Sequence, residues 1–260
     1  MKPTPWLWLF GLAVAADLAA IYFQWNEVRY ISKPLIVLCL LIWFVQQAGA
    51  SGVSFLFAGA LLFSLAGDVF LLFEDKGAIF FMLGLGSFLV AHVFYIVAFM
   101  RLRKEGSRKG PQEASPFLST RGPEYEKGEA SRPPLRLFWI IATAIYGSTL
   151  IYILLPYLDE LKIPVTAYAF VLCAMLLSVV HAFRNLYARP GIICLAGALL
   201  FVISDSTLAI NKFYMGFPMA GIVIMFTYAF AQFMLVTGAA RHIRYFQTDK
   251  NNARNAHDTN

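Results

Sequence analysis

The chain has 260 residues with a formal net charge of +6; 59% of its residues are apolar, 16% are aromatic and only 14% are charged. Soluble globular domains carry charge on about a quarter of their residues, so this composition excludes an ordinary soluble domain. Of the 15 Asp and Glu residues, only Asp17, Asp68 and Asp205 fall inside long apolar runs.

Long apolar runs follow one another along the chain. A hydrocarbon core of about 30 Å requires about 20 helical residues. The runs of suitable length cover residues 6–24, 34–49, 53–73, 78–100, 137–158, 163–183, 190–211 and 215–240. The alternating pattern of a membrane β-barrel is absent from the sequence. The sequence therefore predicts an all-α integral membrane bundle of about eight transmembrane helices.

The first run resembles a signal peptide only superficially. Lys2 precedes it, but no clear small-x-small cleavage site leads into a soluble mature domain. We therefore expect this run to remain as the first transmembrane helix.

A polar segment separates the fourth and fifth runs. Residues 101–136 are rich in Gly, Pro, Ser, Glu and Lys, which predicts a flexible linker within a single transmembrane domain of residues 1–240. Residues 241–260 form a polar tail.

The linker divides the runs into four plus four. A similar Leu-Leu-Phe string at 61–63 and 199–201 precedes an aspartate in each half, so an internal duplication is an alternative interpretation.

Basic residues are distributed unequally between the two sides of the predicted bundle. The side that holds both termini and the 101–136 linker carries 16 of the 21 Lys and Arg residues. The opposite side carries Arg29, Lys33, Lys76, Lys162 and Lys212. By the positive-inside rule both termini are cytoplasmic. The net positive charge is thus a topological signal with affinity for anionic lipid headgroups, and it does not indicate a nucleic-acid partner.

The three acids inside the runs require an explanation, because a carboxylate at a helix centre costs about 2.5–3.5 kcal/mol on insertion scales. Asp68 and Asp205 both lie about 22 Å from the cytoplasmic ends of their runs, so the two side chains can face each other. We expect Asp17 to make a hydrogen bond that holds helices together.

Further polar residues share the predicted face of the seventh run. Asp205 and Lys212 are seven residues apart, as are Ser204 and Asn211, so each pair lies on one side of the helix. Lys33 and Lys212 lie near the non-cytoplasmic boundary, where each either binds a phosphate or extends its ammonium group to the interface.

Histidine and cysteine residues do not form a metal-binding pattern. His92, His181 and Gln232 fall in a deeper layer than the aspartates, and no H-x-x-x-H or C-x-x-C spacing occurs. The three cysteines lie within apolar runs, where thiols behave as small buried hydrophobic groups. No metal and no cofactor are predicted. We expect His92 to form a packing hydrogen bond or to contact a substrate.

Several strings resemble the signature blocks of the YhhN-type lysoplasmalogenases. They read FSLAGD at 63–68, AHVFYIVAF at 91–99 and ISDSTLAINKF at 203–213. Lys33-Pro34-Leu35 and Thr227-Tyr228 with Gln232 fit as well. The resemblance extends from the first run to the eighth, although the 101–136 linker is longer than the family pattern. It implies eight helices and hydrolysis of the vinyl-ether bond of lysoplasmalogens, which gives a fatty aldehyde and glycerophosphoethanolamine or glycerophosphocholine. It also implies a site in which Tyr228 joins the polar residues named above.

The chemistry implied by the resemblance suits the two aspartates. Vinyl ethers are hydrolysed by protonation of the β-carbon, followed by capture of an oxocarbenium ion by water, so the site needs an acid and a base. Two carboxyl groups held close together cannot both ionise easily, so one keeps its proton while the other is charged. We predict that Asp68 and Asp205 are this pair. The sequence does not assign the two roles.

Two other classes use the same residues differently. A secondary transporter would use the acids as proton or cation sites in helices broken by residues such as Gly84, Gly86 and Pro218. A non-catalytic lipid-binding protein would tolerate loss of the acids. A bacterial inner membrane and the endoplasmic reticulum both fit the sequence, which does not indicate an oligomeric state.

The asymmetry of basic residues predicts the side on which each loop is accessible. Cysteine labels at Ser115 and Asn255 should react with an impermeant reagent only from the cytoplasmic side, and a label at Glu160 only from the other side. Labelling of position 115 from the non-cytoplasmic side would rule out the eight-span topology.

Overall fold

The computed structural model describes residues 5–108, 133–183, 186 and 188–258. Within these residues the fold is all-α, with no β-strand and eight helices long and apolar enough to cross a membrane. The helices are α1 (Pro5–Tyr22), α2 (Asn26–Ala48), α3 (Gly52–Leu71), α4 (Ala78–Arg108), α5 (Pro133–Leu154), α6 (Lys162–Ala182), α7 (Arg189–Ala209) and α8 (Ala220–Asp258). The predicted fold class is confirmed.

Short connections join most successive helices. A 3₁₀ turn at Glu74–Lys76 lies between α3 and α4, and a π-helical turn at Ile210–Tyr214 extends α7. Short connections make sequential helices antiparallel, so residues 72–77 and 215–219 lie on the same side of the bundle. We call this side the cavity face.

Helix α2 begins earlier than the second apolar run. The run was predicted to start at residue 34, but α2 starts at Asn26 and contains Pro34 in its interior. Its first two turns carry Glu27, Arg29 and Lys33, which lower the local hydropathy and conceal the helical segment. Lys33 is therefore a buried helical residue and does not belong to a loop.

The boundaries of the predicted polar segments also differ. Helix α4 continues to Arg108 and α5 begins at Pro133, so both ends of the predicted 101–136 linker are helical. Its central residues, 109–132, lie outside the described residues. Helix α8 continues to Asp258, so most of the predicted 241–260 tail prolongs the last helix.

The helices of the two halves pack together. Helix α4 contacts α6, and α2 contacts α8, in addition to the sequential pairs α3–α4 and α7–α8. Buried aromatic residues fill the centre, as where the Phe57 ring meets that of Phe99 edge to face at 5.1 Å. Large apolar side chains such as Phe170, which is 74% exposed, point outwards. This distribution suits a bundle whose outer surface contacts lipid.

Small residues let α7 and α8 approach closely. A Cβ atom on Gly197 would lie 2.8 Å from the backbone nitrogen of Leu235, and one on Gly238 would lie 2.9 Å from the carbonyl oxygen of Pro190. Backbone groups cannot rotate aside as side chains do, so any substitution would push the helices apart. Such close contacts between small residues are a common source of helix association in membranes.

This contact predicts that Gly238→Ala destabilises the bundle by about 1–3 kcal/mol, the usual cost of overpacking. Thermal unfolding of the purified protein in detergent should show a lower midpoint. Gly86→Ala is the matched control, because it is also a helical glycine and a Cβ there would meet nothing within 4 Å. An equal midpoint for the two variants would contradict the predicted contact.

Candidate active site

A cavity of about 280 Å³ lies among helices α2, α3, α4, α6, α7 and α8. Asp68 and Asp205 both line it, so the structure brings the two predicted acids together. Apolar side chains, including Leu85, Phe88 and Met225, cover much of the wall. Polar residues lie towards the cavity face: Asn26, Arg29, Glu74, Asp75 and Asn211.

Asp68 is almost fully buried and has a cationic neighbour. The hydroxyl of Tyr228, on α8, donates a hydrogen bond to Oδ2 at 2.7 Å. The ammonium nitrogen of Lys33, on α2, lies 3.7 Å from Oδ1. A nearby ammonium group and a hydroxyl donor both favour the ionised carboxylate. Asp68 is thus suited to carry a negative charge.

Asp205 has different neighbours. The hydroxyl of Tyr168, on α6, donates to its Oδ2 at 2.5 Å, and Nε2 of His92, on α4, lies 3.8 Å from the same oxygen. Among the described residues, no Lys or Arg forms an ion pair with Asp205. The charges of Asp68 and Asp205 are close enough to interact. Repulsion between them favours a state in which only one is ionised.

The position of His92 corrects the prediction that it lies in a separate layer from the aspartates. That prediction counted residues from the ends of the apolar runs, as if all helices ended at one height. Asp68 lies three residues before the end of α3, whereas Asp205 lies nine residues before the end of the π-helical turn. His92 therefore reaches Asp205 although it lies deep in α4.

The tautomer of His92 follows from its contacts. Its Nδ1 lies 2.6 Å from the carbonyl oxygen of Phe88, which can only accept, so Nδ1 carries the hydrogen in the neutral ring. Nε2 then has a free lone pair, and this atom is buried without a hydrogen-bond partner. The rings of Phe201 and Tyr168 hold the imidazole edge to face at 4.7 and 5.4 Å. A fixed acceptor therefore faces Asp205.

A chain of hydrogen bonds extends inwards from Asp68. The hydroxyl of Tyr95 donates to Oε1 of Gln232 at 2.5 Å, and Nε2 of Gln232 donates to the Tyr228 hydroxyl at 3.3 Å. Tyr228 must then direct its own hydrogen to Asp68. Gln232, predicted to be in the deeper layer, is thus connected to the acid through Tyr228.

The other predicted substrate-binding residues occupy different positions. Ser204 and Asn211 line the cavity; the Ser204 hydroxyl donates to the carbonyl oxygen of Ile224 at 3.0 Å, and Oδ1 of Asn211 accepts from the backbone N–H of Phe217 at 3.3 Å. Lys212 is not among the lining residues and pairs with Glu74 at 2.8 Å.

Asp17 makes the kind of contact expected for it. The hydroxyl of Ser32, on α2, donates to its Oδ1 at 2.8 Å and so joins α1 to α2. Among the described residues, no group of three His, Cys, Asp or Glu residues has the arrangement of a metal site.

Sequence reasoning missed Tyr168. An isolated tyrosine in an apolar run resembles any aromatic packing residue, and only its contact with Asp205 distinguishes it. The available signal was its position near the cavity-face end of the sixth run, at a depth from which a hydroxyl can reach an acid on a neighbouring helix.

Comparison with known proteins identifies related chains. The model of the YhhN family matches residues 28–239. Lysoplasmalogenase TMEM86B of Homo sapiens is 32% identical over 211 residues, which cover 80% of this chain and 74% of the relative. The Mus musculus protein of the same name is 28% identical over 220 residues, covering 84% and 77%. A lysoplasmalogenase of Mycobacterium tuberculosis is 30% identical over 181 residues, covering 69% and 58%. No solved structure matches the chain.

The contact between Lys33 and Asp68 predicts strong coupling of their contributions to stability. Removing one partner leaves a buried charge uncompensated and costs about 3–5 kcal/mol, whereas removing both can be nearly neutral. Lys33→Met and Asp68→Asn should each lower the thermal unfolding midpoint in detergent, and the double variant should recover most of the loss. Additive losses would show that the two groups are independent.

Proposed function

Since the chain belongs to the YhhN family, we propose that it is a membrane-embedded hydrolase that cleaves the vinyl-ether bond of lysoplasmalogens. The products are a fatty aldehyde and glycerophosphoethanolamine or glycerophosphocholine. Relatives named lysoplasmalogenase support the substrate class. The observation that carries the mechanism is the pair of buried carboxyl groups in one cavity, each with different neighbours.

The unequal surroundings of the two acids support different roles for them. Asp68 lies beside the Lys33 ammonium group and is the ionised base. Asp205 has no such cation among the described residues, and the negative charge of Asp68 opposes its ionisation, so it is the acid. One cavity therefore contains a proton donor and a proton acceptor at the same pH.

The reaction begins at the double bond. Asp205 transfers its carboxyl proton to the β-carbon while the ether oxygen shares its lone pair with the adjacent carbon, which forms an oxocarbenium ion. Water attacks that carbon and gives a proton to Asp68, which produces a hemiacetal. The carboxylate pair stabilises the cation electrostatically between these two steps.

Collapse of the hemiacetal restores both acids. Its hydroxyl proton returns to Asp205, and the proton on Asp68 moves to the departing glycerol oxygen as the carbon–oxygen bond breaks. The aldehyde and the glycerol hydroxyl leave, with Asp205 again protonated and Asp68 again ionised. No cofactor takes part, and one water molecule is consumed.

The neighbours of the acids position these protons. The free lone pair on Nε2 of His92 accepts a hydrogen bond from the protonated Asp205 carboxyl when their present separation of 3.8 Å shortens. Tyr168 and Tyr228 each hold one carboxyl oxygen in place. Asn211 and Ser204 lie along the cavity wall beside the glycerol portion. His92 thus acts through Asp205 and is a positioning residue.

The apolar wall accommodates the alkenyl chain where it leaves the vinyl ether. A cavity of about 280 Å³ is near the lower end of ligand sites, so it holds the polar part and the reacting bond while the long chain continues among apolar side chains. With both termini cytoplasmic, the cavity face is on the non-cytoplasmic side. The polar end of the substrate then enters from that side of the membrane.

Asp68→Asn and Asp205→Asn should each lower the release of aldehyde from lysoplasmalogen by at least about 100-fold, because an amide can neither donate the proton nor receive one. Mass spectrometry of the released aldehyde by purified protein measures this loss. The double variant should be little worse than either single variant, since the members of a catalytic unit are strongly non-additive.

Asp159→Asn is the control for these substitutions. Asp159 lies between α5 and α6 with a positive φ of 42°, a backbone conformation that asparagine adopts readily. This variant should retain full turnover. Normal aldehyde release by either Asp68→Asn or Asp205→Asn would eliminate the two-aspartate mechanism.

The same mechanism predicts a bell-shaped dependence of turnover on pH. At low pH both aspartates are protonated and no base is present; at high pH both are ionised and no acid is present. The two limbs report macroscopic values that belong to the pair. A profile measured between pH 4 and pH 10 that reaches a plateau on one side would show that only one acid titrates in the reaction.

A further inference from the structure

We propose that Arg29 binds the phosphate group of a zwitterionic lysophospholipid and thereby sets the depth at which the substrate enters the cavity. This inference rests on the proposed function, since it concerns the same cavity. It assigns the phosphate to a residue that the sequence patterns did not single out.

Arg29 is a lining residue with unused hydrogen-bonding capacity. Its Nε atom is buried without a hydrogen-bond partner. The charges of Arg29 and Asp17 interact at a distance, but no ion pair joins these two residues. Withdrawing part of a guanidinium group from water without a partner is costly, and an anion in the cavity would remove this cost.

The two lysines that the sequence suggested for phosphate are already paired with acids. Lys33 lies beside Asp68, where its charge supports the proposed base. Lys212 pairs with Glu74 and is not among the residues that line the cavity. Arg29 therefore differs from both, because among the described residues it lines the cavity and has no acid in contact.

A guanidinium group suits a phosphate better than an ammonium group does. Its planar fork offers parallel N–H donors that match two phosphate oxygens. The side-chain amide of Asn26, three residues earlier on α2, lines the same part of the cavity and provides a further donor. The two residues form a donor set at the first turn of the helix.

The spacing along α2 agrees with the shape of the substrate. Arg29 and Lys33 are four residues apart, which is about 6 Å along the helix axis. Lys33 contacts Asp68, so a phosphate at Arg29 lies roughly one helical turn from the acids. In a lysoplasmalogen, the three glycerol carbons lie between the phosphate and the vinyl-ether oxygen, and they span a distance comparable to one helical turn. Binding at Arg29 thus brings the vinyl ether to the carboxyl pair.

An acid among the lining residues favours a zwitterion over free phosphate. Asp75 lines the same cavity as Arg29, as does Glu74, whose charge is already paired with Lys212. Asp75 repels a free phosphate dianion, but it can attract the ammonium group of an ethanolamine or choline headgroup. The shared chemistry is a phosphate; the arrangement of charge selects a phosphodiester that carries its own cation.

Arg29→Gln should raise the KM for lysoplasmalogen about 10- to 100-fold while kcat changes less than about twofold. The KM for a 1-alkenylglycerol, which has the vinyl ether but no phosphate, should not change. Arg29→Lys keeps the positive charge but lacks the parallel N–H donors of the guanidinium group. The KM of this variant should therefore lie between those of the unaltered protein and Arg29→Gln. Lys76→Gln removes a positive charge from the same face, outside the cavity, and should behave like the unaltered protein.

Binding of an ester-linked lysophosphatidylethanolamine in nanodiscs tests the site without turnover. Arg29→Gln should weaken this binding by the same factor as it raises KM, and inorganic phosphate should compete only weakly. If the unaltered protein binds this lipid in an Arg29-dependent way but releases no aldehyde from lysoplasmalogen, the proposed function fails and the phosphate site stands.

Three results would overturn the proposal. One is an equal change in KM for the phosphorylated and the phosphate-free substrate, which would indicate a packing role. Another is unchanged binding of the ester-linked lipid by both Arg29 variants. Competition by inorganic phosphate at concentrations as low as those of the lipid would contradict selection of a zwitterion.

Discussion

The arrangement of the whole bundle depends on keeping two carboxyl groups away from lipid. Neither Asp68 nor Asp205 can be exposed to hydrocarbon, and no single helix provides the partners that they need. Lys33 and Tyr228 come to Asp68 from α2 and α8, while Tyr168 and His92 come to Asp205 from α6 and α4. The acids themselves lie on α3 and α7. Providing ionic and hydrogen-bond partners for these two carboxyl groups therefore fixes the relative positions of six helices.

Those partners also make the two acids chemically different. Repulsion lets one of two identical carboxyl groups keep its proton, but it does not decide which of the two is the acid. Here the distinction is the buried ammonium group of Lys33, which lies next to Asp68 only. The same contact that permits a charge inside the membrane thus supports the direction of proton transfer in the proposed mechanism. In that mechanism, stability and chemistry depend on one interaction.

Much of the fold was predictable because lipid imposes a simple rule on sequence. A helix that faces hydrocarbon must be apolar over its whole length, so hydropathy alone located the eight helices. The rule failed at the start of α2, where Arg29 and Lys33 face the cavity and the segment resembles a loop. The residues that obscured this boundary are among those that line the site. Polar content at this helix end therefore marked residues that line the cavity.

Side-chain partners were less accessible to sequence reasoning. The aspartates were recognisable because an acid in an apolar run is costly, but Tyr168 and Tyr228 carry no such penalty and look like ordinary aromatic residues. Depth counted along the chain placed His92 too far from Asp205, because the helices end at different heights. The geometry that joins these residues arises from packing between helices, which hydropathy does not describe.

The π-helical turn at the end of α7 has a consequence for how this region tolerates insertions and deletions. The backbone N–H of Met215 bonds to the carbonyl oxygen of Ile210 at 2.9 Å, so the turn contains one residue more than an α-helical turn would. Loss of a single residue here would let the chain close as a regular α-helix. Asn211 and Lys212 would then rotate away from their present directions while Asp205, nearer the helix centre, stayed in place. The rim of the cavity can in this way diverge among relatives by a change of length, independently of the two aspartates beneath it.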